Sequence, residues 1–205
     1  MGFYSTVMFP RLLDWIMSNQ EMTTYREALL RDVTGNVLEI GFGTGLNLPH
    51  YPSIIEKITT VDVNPGTDSL AQNRIQQSGI SVESLILNGE QLPMQDKSFD
   101  SVVSTWTLCS IANVNQALSE IHRVLKPGGQ FFFIEHGLSD NANIQVWQHR
   151  LNPIQKVIGD GCNLNRNIQA LISHEFESVN LERFDMSSLP AFASHTYKGV
   201  AIKAA

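Results

Sequence analysis

The stretch Val37-Leu38-Glu39-Ile40-Gly41-Phe42-Gly43-Thr44-Gly45 decides the fold. A short run of β-branched and aliphatic residues carries one carboxylate and then breaks into three alternating glycines. The run reads as a buried strand and the glycines as the turn that follows it. Glycine has no β-carbon, so it accepts positive φ and lets a ligand lie against the backbone. Three such positions at the carboxyl end of a strand mark a ligand cradle in an open α/β sheet.

The glycine spacing narrows the ligand. A dinucleotide fingerprint runs G-x-G-x-x-G, but the third position after Gly43 is Leu46. No G-x-x-x-x-G-K-[ST] follows either, so the loop is not a phosphate-binding one. A second apolar run, Ile58-Thr59-Thr60-Val61, ends in Asp62. An acid at the tip of the second strand is placed to accept hydrogen bonds from a ribose diol. The two strands together imply a nucleoside ligand and make a weaker case for a pyrophosphate.

Further motifs follow in register: Glu90-Gln91-Leu92-Pro93, Ser98-Phe99-Asp100 and Arg123-Val124-Leu125-Lys126-Pro127-Gly128-Gly129. With Glu39-x-Gly41-x-Gly43-x-Gly45 and Asp62, this set resembles class I S-adenosylmethionine-dependent methyltransferases of the ubiquinone-methyltransferase-like branch. The resemblance implies a doubly wound α/β fold. Its sheet has seven mostly parallel strands with an antiparallel closing strand, and helices cover both faces.

The cofactor implied is S-adenosyl-L-methionine, with S-adenosyl-L-homocysteine as product. Gly41, Gly43 and Gly45 would offer close backbone approach. Asp62 would take the ribose hydroxyls and Val63 would pack on the adenine. Glu39 would fix the methionyl amine or order the glycine turn. Asn47 would help with the methionyl carboxylate, and Thr105 would lie near the methionine moiety. Relatives often carry an aspartate before the Glu-x-Leu-Pro position, where this chain has Asn88. Its side-chain oxygen still accepts from an exocyclic amine, and the Gly89 amide would meet the ring edge. Glu90 reads as a loop-fixing acid.

A second resemblance covers nearly the whole chain after residue 35. Leu108-Cys109-Ser110, Glu135-His136, Trp147, Leu151-x-Pro153 and Gly161-Cys162-Asn163-Leu164-x-Arg166 resemble the animal methyltransferase-like proteins that methylate alkyl thiols. It implies methyl transfer to a small, apolar acceptor, a thiol in the first place. A phospholipid amine or a quinone ring is the alternative acceptor. His136 is the candidate catalytic base by place and pKa range, with a structural histidine as the competing reading. A thiol ionises near pH 8.5 and asks little of a base. Cys109 and Cys162 read as buried small hydrophobes. Two further readings compete. A non-catalytic cofactor-binding module would need the same cradle, and a nicotinamide oxidoreductase lacks its third fingerprint glycine.

Composition sets the remaining bounds. The 205 residues, 42% hydrophobic and 17% charged, suit one globular domain spanning 1–205. A net charge of −6 without a basic run argues against nucleic-acid partners. The two cysteines have no C-x-x-C spacing, so neither a disulfide framework nor a zinc site is expected. The absence of an apolar span and of a leader pattern makes a cytoplasmic protein the expectation. The oligomeric state is not readable.

Along the chain, residues 1–34 read as amino-terminal lid or substrate-capping helices. Phe9, Leu12, Leu13, Ile16 and Met17 share one helical face. Aromatics at Phe3, Tyr4, Phe9 and Trp15 allow a peripheral membrane contact through this segment, which the mixed charges Arg11, Asp14 and Glu21 oppose. Helices are expected over 64–78, 114–125 and 167–175, and strands over 80–87, 99–104, 130–135, 178–184 and 197–203. Trp147, Leu151, Ile154 and Ile158 share a helical face with Pro153 inside it, where a kink or restart is expected.

Overall fold

A computed structural model describes residues 8–64 and 68–205. Phe3, Tyr4 and the Pro65 turn lie outside these residues. Seven strands form one sheet in the order β3-β2-β1-β4-β5-β7-β6. They are β1 (Val37–Ile40), β2 (Lys57–Asp62), β3 (Ser81–Ile86), β4 (Phe99–Thr105), β5 (Leu125–His136), β6 (Ser178–Asp185) and β7 (His195–Ile202). β1 pairs in parallel with β2 and β4, and β4 with β5. Only β7 runs against its neighbours β5 and β6 among the described strands. The expected mostly parallel sheet with an antiparallel closing strand is therefore present.

The central strands are apolar on both sides because both sides are covered. Along β5, Phe131 and Phe133 enter one core and Phe132 and Ile134 the other. Val102 and Val103 of β4 divide in the same way. The first core takes the buried face of α4 (Val114–Val124), whose Leu118, Ile121 and Val124 recur at helical spacing, together with α6 (Ile168–Glu175). The second takes α2 (Gln20–Leu30) and α3 (Asp68–Ser78) through Leu29, Leu30 and Ala71.

Several caps are those that the sequence carries. Asn19, Asn113 and Asn167 each accept a backbone N–H in the first turn of the helix they precede. Gly79, at φ 71°, follows α3.

On α1 (Phe9–Met17), Leu12 and Leu13 are 49% and 40% exposed. Of the kink or restart expected at Pro153, the restart is absent: α5 (Ala142–Ile158) runs through Pro153 as one helix. Its residue four positions earlier, His149, is exposed, so water can take the carbonyl that proline leaves unbonded. The shared face of α5 also points outward, with Trp147, Ile154 and Ile158 more than half exposed. Finally, β5 begins at Leu125, where Leu125 already pairs with Phe99 ahead of a register shift. The short α7 (Ala191–Ser194) completes the chain's helices among the described residues.

Candidate active site

The sheet order reverses at β1 and β4, so their following loops diverge to opposite faces and leave a crevice at the carboxyl ends. The glycine loop lines it. Gly41, Gly43 and Gly45 have φ of 79°, 56° and 77°, in the left-handed region that side chains resist. Gly41 is the tightest, since a β-carbon there would stand 1.8 Å from Thr107 Oγ1. At Gly43 a β-carbon would meet nothing within 4 Å, which leaves open space above the backbone for a ligand.

Three acids end or flank the central strands, and each organises a loop. Asp62 accepts from Gly43 N at 2.7 Å and from Asn64 N at 2.8 Å. Burial nevertheless raises its pKa above the ordinary value. Each oxygen keeps a second lone pair for a further donor. Glu39 is fully buried and accepts from Asn47 Nδ2 at 2.8 Å and Tyr51 OH at 2.7 Å. Burial lifts its pKa to about 7. Asn47 Nδ2 also donates to Thr105 Oγ1 at 3.1 Å, while Asn47 Oδ1 is buried and unpartnered. Glu39, Asn47 and Thr105, expected together at the methionyl end, are thus joined in one network. Glu135 accepts from Thr107 N and Leu108 N, each at 2.8 Å, and so fixes the loop after β4.

At the nucleoside end, Val63 is 49% exposed and Asn88 is exposed, whereas Gly89 is buried against Ile40. Glu90 accepts from Asn113 N at 2.9 Å, in keeping with a loop-fixing role. On the acceptor side, His136 is buried, with Nε2 2.9 Å from Cys162 Sγ. The neighbouring Cys109 thiol and burial push the Cys162 thiol up. His195 is bonded through Nδ1 to Asp185 at 2.9 Å.

The amino-terminal helices meet the crevice through residues that the sequence does not single out. Asp14 of α1 accepts from Thr44 Oγ1 at 2.5 Å and from Arg74 at 2.7 Å. Arg74 also donates to the Thr44 carbonyl at 2.9 Å. Arg26 of α2 is 3% exposed and lies 4.7 Å over the Trp106 ring. Burial lowers its pKa to about 10. Glu21 accepts from the amides of Ser187 and Ser188, and Tyr25 stacks on Phe184 at 4.2 Å. The one available signal for Asp14 was an acid among apolar positions of a helix. Arg26, Tyr51 and Trp106 carried none.

The cradle fits S-adenosylmethionine. It offers open space over Gly43, acids at two strand ends and a buried unsatisfied acceptor on Asn47. Residues 38–133 match the family model described as a methyltransferase domain. The rat thiol S-methyltransferase TMT1B is 42% identical across 71% of this chain and 62% of its own length. The human thiol S-methyltransferase TMT1A is 33% identical across 92% of this chain and 82% of its own. The structure of the N-methyltransferase NodS from Bradyrhizobium japonicum with S-adenosyl-L-homocysteine superposes with a TM-score of 0.68 at 19% identity, covering 95% of this chain and 92% of that one.

Glu39 gives a test of the site's electrostatics. Its folded pKa near 7 lies above the unfolded value near 4.5. The folded chain therefore holds a proton that the unfolded chain has released, and rising pH removes stability between those values. Glu39→Gln is expected to lose this dependence, so that thermal melts of wild type and variant diverge by up to about 3 kcal/mol between pH 4.5 and 7. Parallel pH curves would contradict the assignment. By these likenesses, with the crevice and its acids, the chain belongs to the class I S-adenosylmethionine-dependent methyltransferases, in the branch that includes the TMT1 thiol S-methyltransferases.

Proposed function

We propose that this enzyme methylates the sulfur of small, apolar thiols. The observation that carries the reading is the identity to thiol S-methyltransferases over most of the chain, 42% and 33% for the rat and human relatives. The enclosed acceptor side agrees with it. The loop after β4 and the end of β5 bring Leu108, Cys109 and His136 together, with little exposure at any of them.

In this reading the chain supplies position and dryness. Gly41, Gly43 and Gly45 hold the cofactor against backbone, and Asp62 accepts from its ribose hydroxyls through the lone pairs left after Gly43 and Asn64. Val63, Asn88 and Gly89 bound the adenine. Asn47 Oδ1, kept in place by the bonds from Asn47 Nδ2 to Glu39 and Thr105, faces the methionyl amine. When bound, the cofactor supplies an electrophilic methyl group on a sulfonium. His136 serves ionisation of the acceptor thiol, which at pH 7 is only about 3% thiolate in water. The described part of the amino-terminal segment, residues 8–34, serves as a lid, latched to the cradle by Asp14 and to the acceptor side by Arg26 over Trp106.

The exposed Leu12, Leu13 and Trp15 on α1, at 49%, 40% and 76%, leave an apolar surface for a second reading, peripheral contact with a membrane that carries apolar acceptors. Among the described residues no helix is long and apolar enough to cross a membrane.

The deciding assay is transfer of a labelled methyl group to short alkyl thiols, phosphatidylethanolamine vesicles and a demethylated quinone. Turnover is expected on the thiols alone, and turnover confined to the vesicles or the quinone would overturn the thiol reading. Asp62→Ala is expected to raise the cofactor KM roughly 10- to 100-fold, as loss of charged hydrogen bonds does, and to leave the thiol KM unchanged. Asp14→Ala is expected to weaken cofactor binding about fivefold by calorimetry; unchanged affinity would remove the latch.

A further inference from the structure

The geometry points to a function for the two cysteines that the sequence reading set aside. Cys109, His136 and Cys162 come from three separate segments: the loop after β4, the last residue of β5, and the loop after α5. Their ligand atoms all lie within 4.8 Å of one another, and their exposures are 2%, 9% and 8%. We propose that these three residues bind one zinc ion and leave its fourth position to the sulfur of the methyl acceptor. The acceptor half of this proposal rests on the thiol reading above.

The donor set selects the metal class. Two thiolates and an imidazole are the ligands that zinc takes in sites with three protein donors and an open position. At ordinary zinc–sulfur and zinc–nitrogen lengths, tetrahedral donors stand roughly 3.5–3.8 Å apart. The Cys162 Sγ to His136 Nε2 distance of 2.9 Å then needs an opening of about half an ångström or a little more. His136 Nε2 faces Cys162 Sγ and is the ring nitrogen placed to ligate.

The cluster is held by residues beside its members. Glu135, next to His136, accepts from Cys109 N at 3.4 Å as well as from Thr107 N and Leu108 N. Asn163, next to Cys162, donates to the Cys109 carbonyl from Nδ2 at 2.8 Å and from its backbone N at 3.0 Å. Arg166 donates to the Leu108 and Ile111 carbonyls. A β-carbon on Gly137 would stand 2.4 Å from the Arg166 carbonyl, so glycine is what lets the end of β5 approach this loop. Two chance buried thiols would not need three segments tied to one another at the positions flanking the donors.

The place suits the acceptor. Thr107 touches Gly41 of the cofactor cradle, and two residues later the same loop delivers Cys109. Zinc with two thiolates is neutral, and a third thiolate would give one negative charge. The Arg166 guanidinium beside the cluster offsets it. In the reaction, the acceptor R–SH releases its proton to solvent as its sulfur binds zinc. That sulfur then gives an electron pair to the methyl carbon. The bond from methyl to the sulfonium breaks, its pair stays with S-adenosylhomocysteine, and the neutral thioether leaves. With zinc bound, the metal takes over from His136 the ionisation of the thiol, and the imidazole serves as a ligand.

The test uses the full chain purified under reducing conditions, with zinc content by mass spectrometry and cobalt(II) as a visible probe. One equivalent of zinc is expected, and cobalt should give the sulfur-to-metal absorption of a tetrahedral site. A short alkyl monothiol should shift that absorption without any cofactor present. Cys109→Ser and Cys162→Ser should lose the absorption, His136→Ala should lose it, and His136→Cys should restore it by giving a three-thiolate site. Melting curves establish that each variant is folded. Removing the metal should lower thiol turnover up to about 30-fold at pH 7, where thiols are scarcely ionised, and hardly at all at pH 9.

Folded, reduced wild type that takes up neither zinc nor cobalt overturns the proposal, as does a Cys109–Cys162 disulfide in the active enzyme. Full turnover of thiols by metal-free protein at pH 7 also overturns it and leaves the thiol reading standing. A cobalt site that ignores added thiols overturns the acceptor role alone. Metal binding is read without turnover, so failure of the thiol reading in the acceptor assay is separately visible.

Discussion

The loops after β1 and β4 touch through a glycine. Gly41 lies so close to Thr107 that any side chain at position 41 would collide with it, and at φ 79° the backbone there already excludes most residues. This contact sets the crevice. It brings the glycine loop after β1 against the loop that leads to Cys109, and it does so at the point where the strand order reverses. Pulling the two apart by one methyl group would misplace the reacting atoms by an amount that methyl transfer does not tolerate.

Around that contact the chain spends buried carboxylates on loops. Asp62 holds Gly43 and Asn64, Glu39 holds Asn47 and Tyr51, and Glu135 holds the turn from Thr107 to Cys109. Each is at or near a strand's carboxyl end, where the ladder stops and backbone N–H groups need new acceptors. Burying an acid is unfavourable unless it is bonded, and the raised pKa values of all three show that the bonds only partly offset it. The gain is a rigid cradle with lone pairs and orphan atoms facing inward.

The amino-terminal helices add a second layer of control. α1 reaches the glycine loop through Asp14, and α2 reaches the opposite bank through Arg26 over Trp106. Trp106 itself is at φ 51°, an uncommon conformation for a bulky residue, held by the bond from its N–H to the Ile134 carbonyl at 2.7 Å. The same helix that latches the cofactor side leaves Leu12, Leu13 and Trp15 outward. Its amphipathic pattern was correct as a helix signal.

The sequence by itself determined the sheet. Strands buried on both faces must be apolar throughout, and glycines at a strand end must mark a turn with positive φ, so β1, β2, β4 and β5 were legible from local pattern. The cradle glycines, Asp62 and Glu39 were legible for the same reason, since their positions relative to the strand ends are set within a few residues. The tertiary structure alone decided the rest. Asp14 with Thr44, Arg26 with Trp106, and Cys109 with His136 and Cys162 are separated by tens of residues. Their meeting depends on strand order and on which face each connection crosses. Spacing within one segment carries no record of that, so two cysteines without a motif read as packing until the fold brought them beside His136.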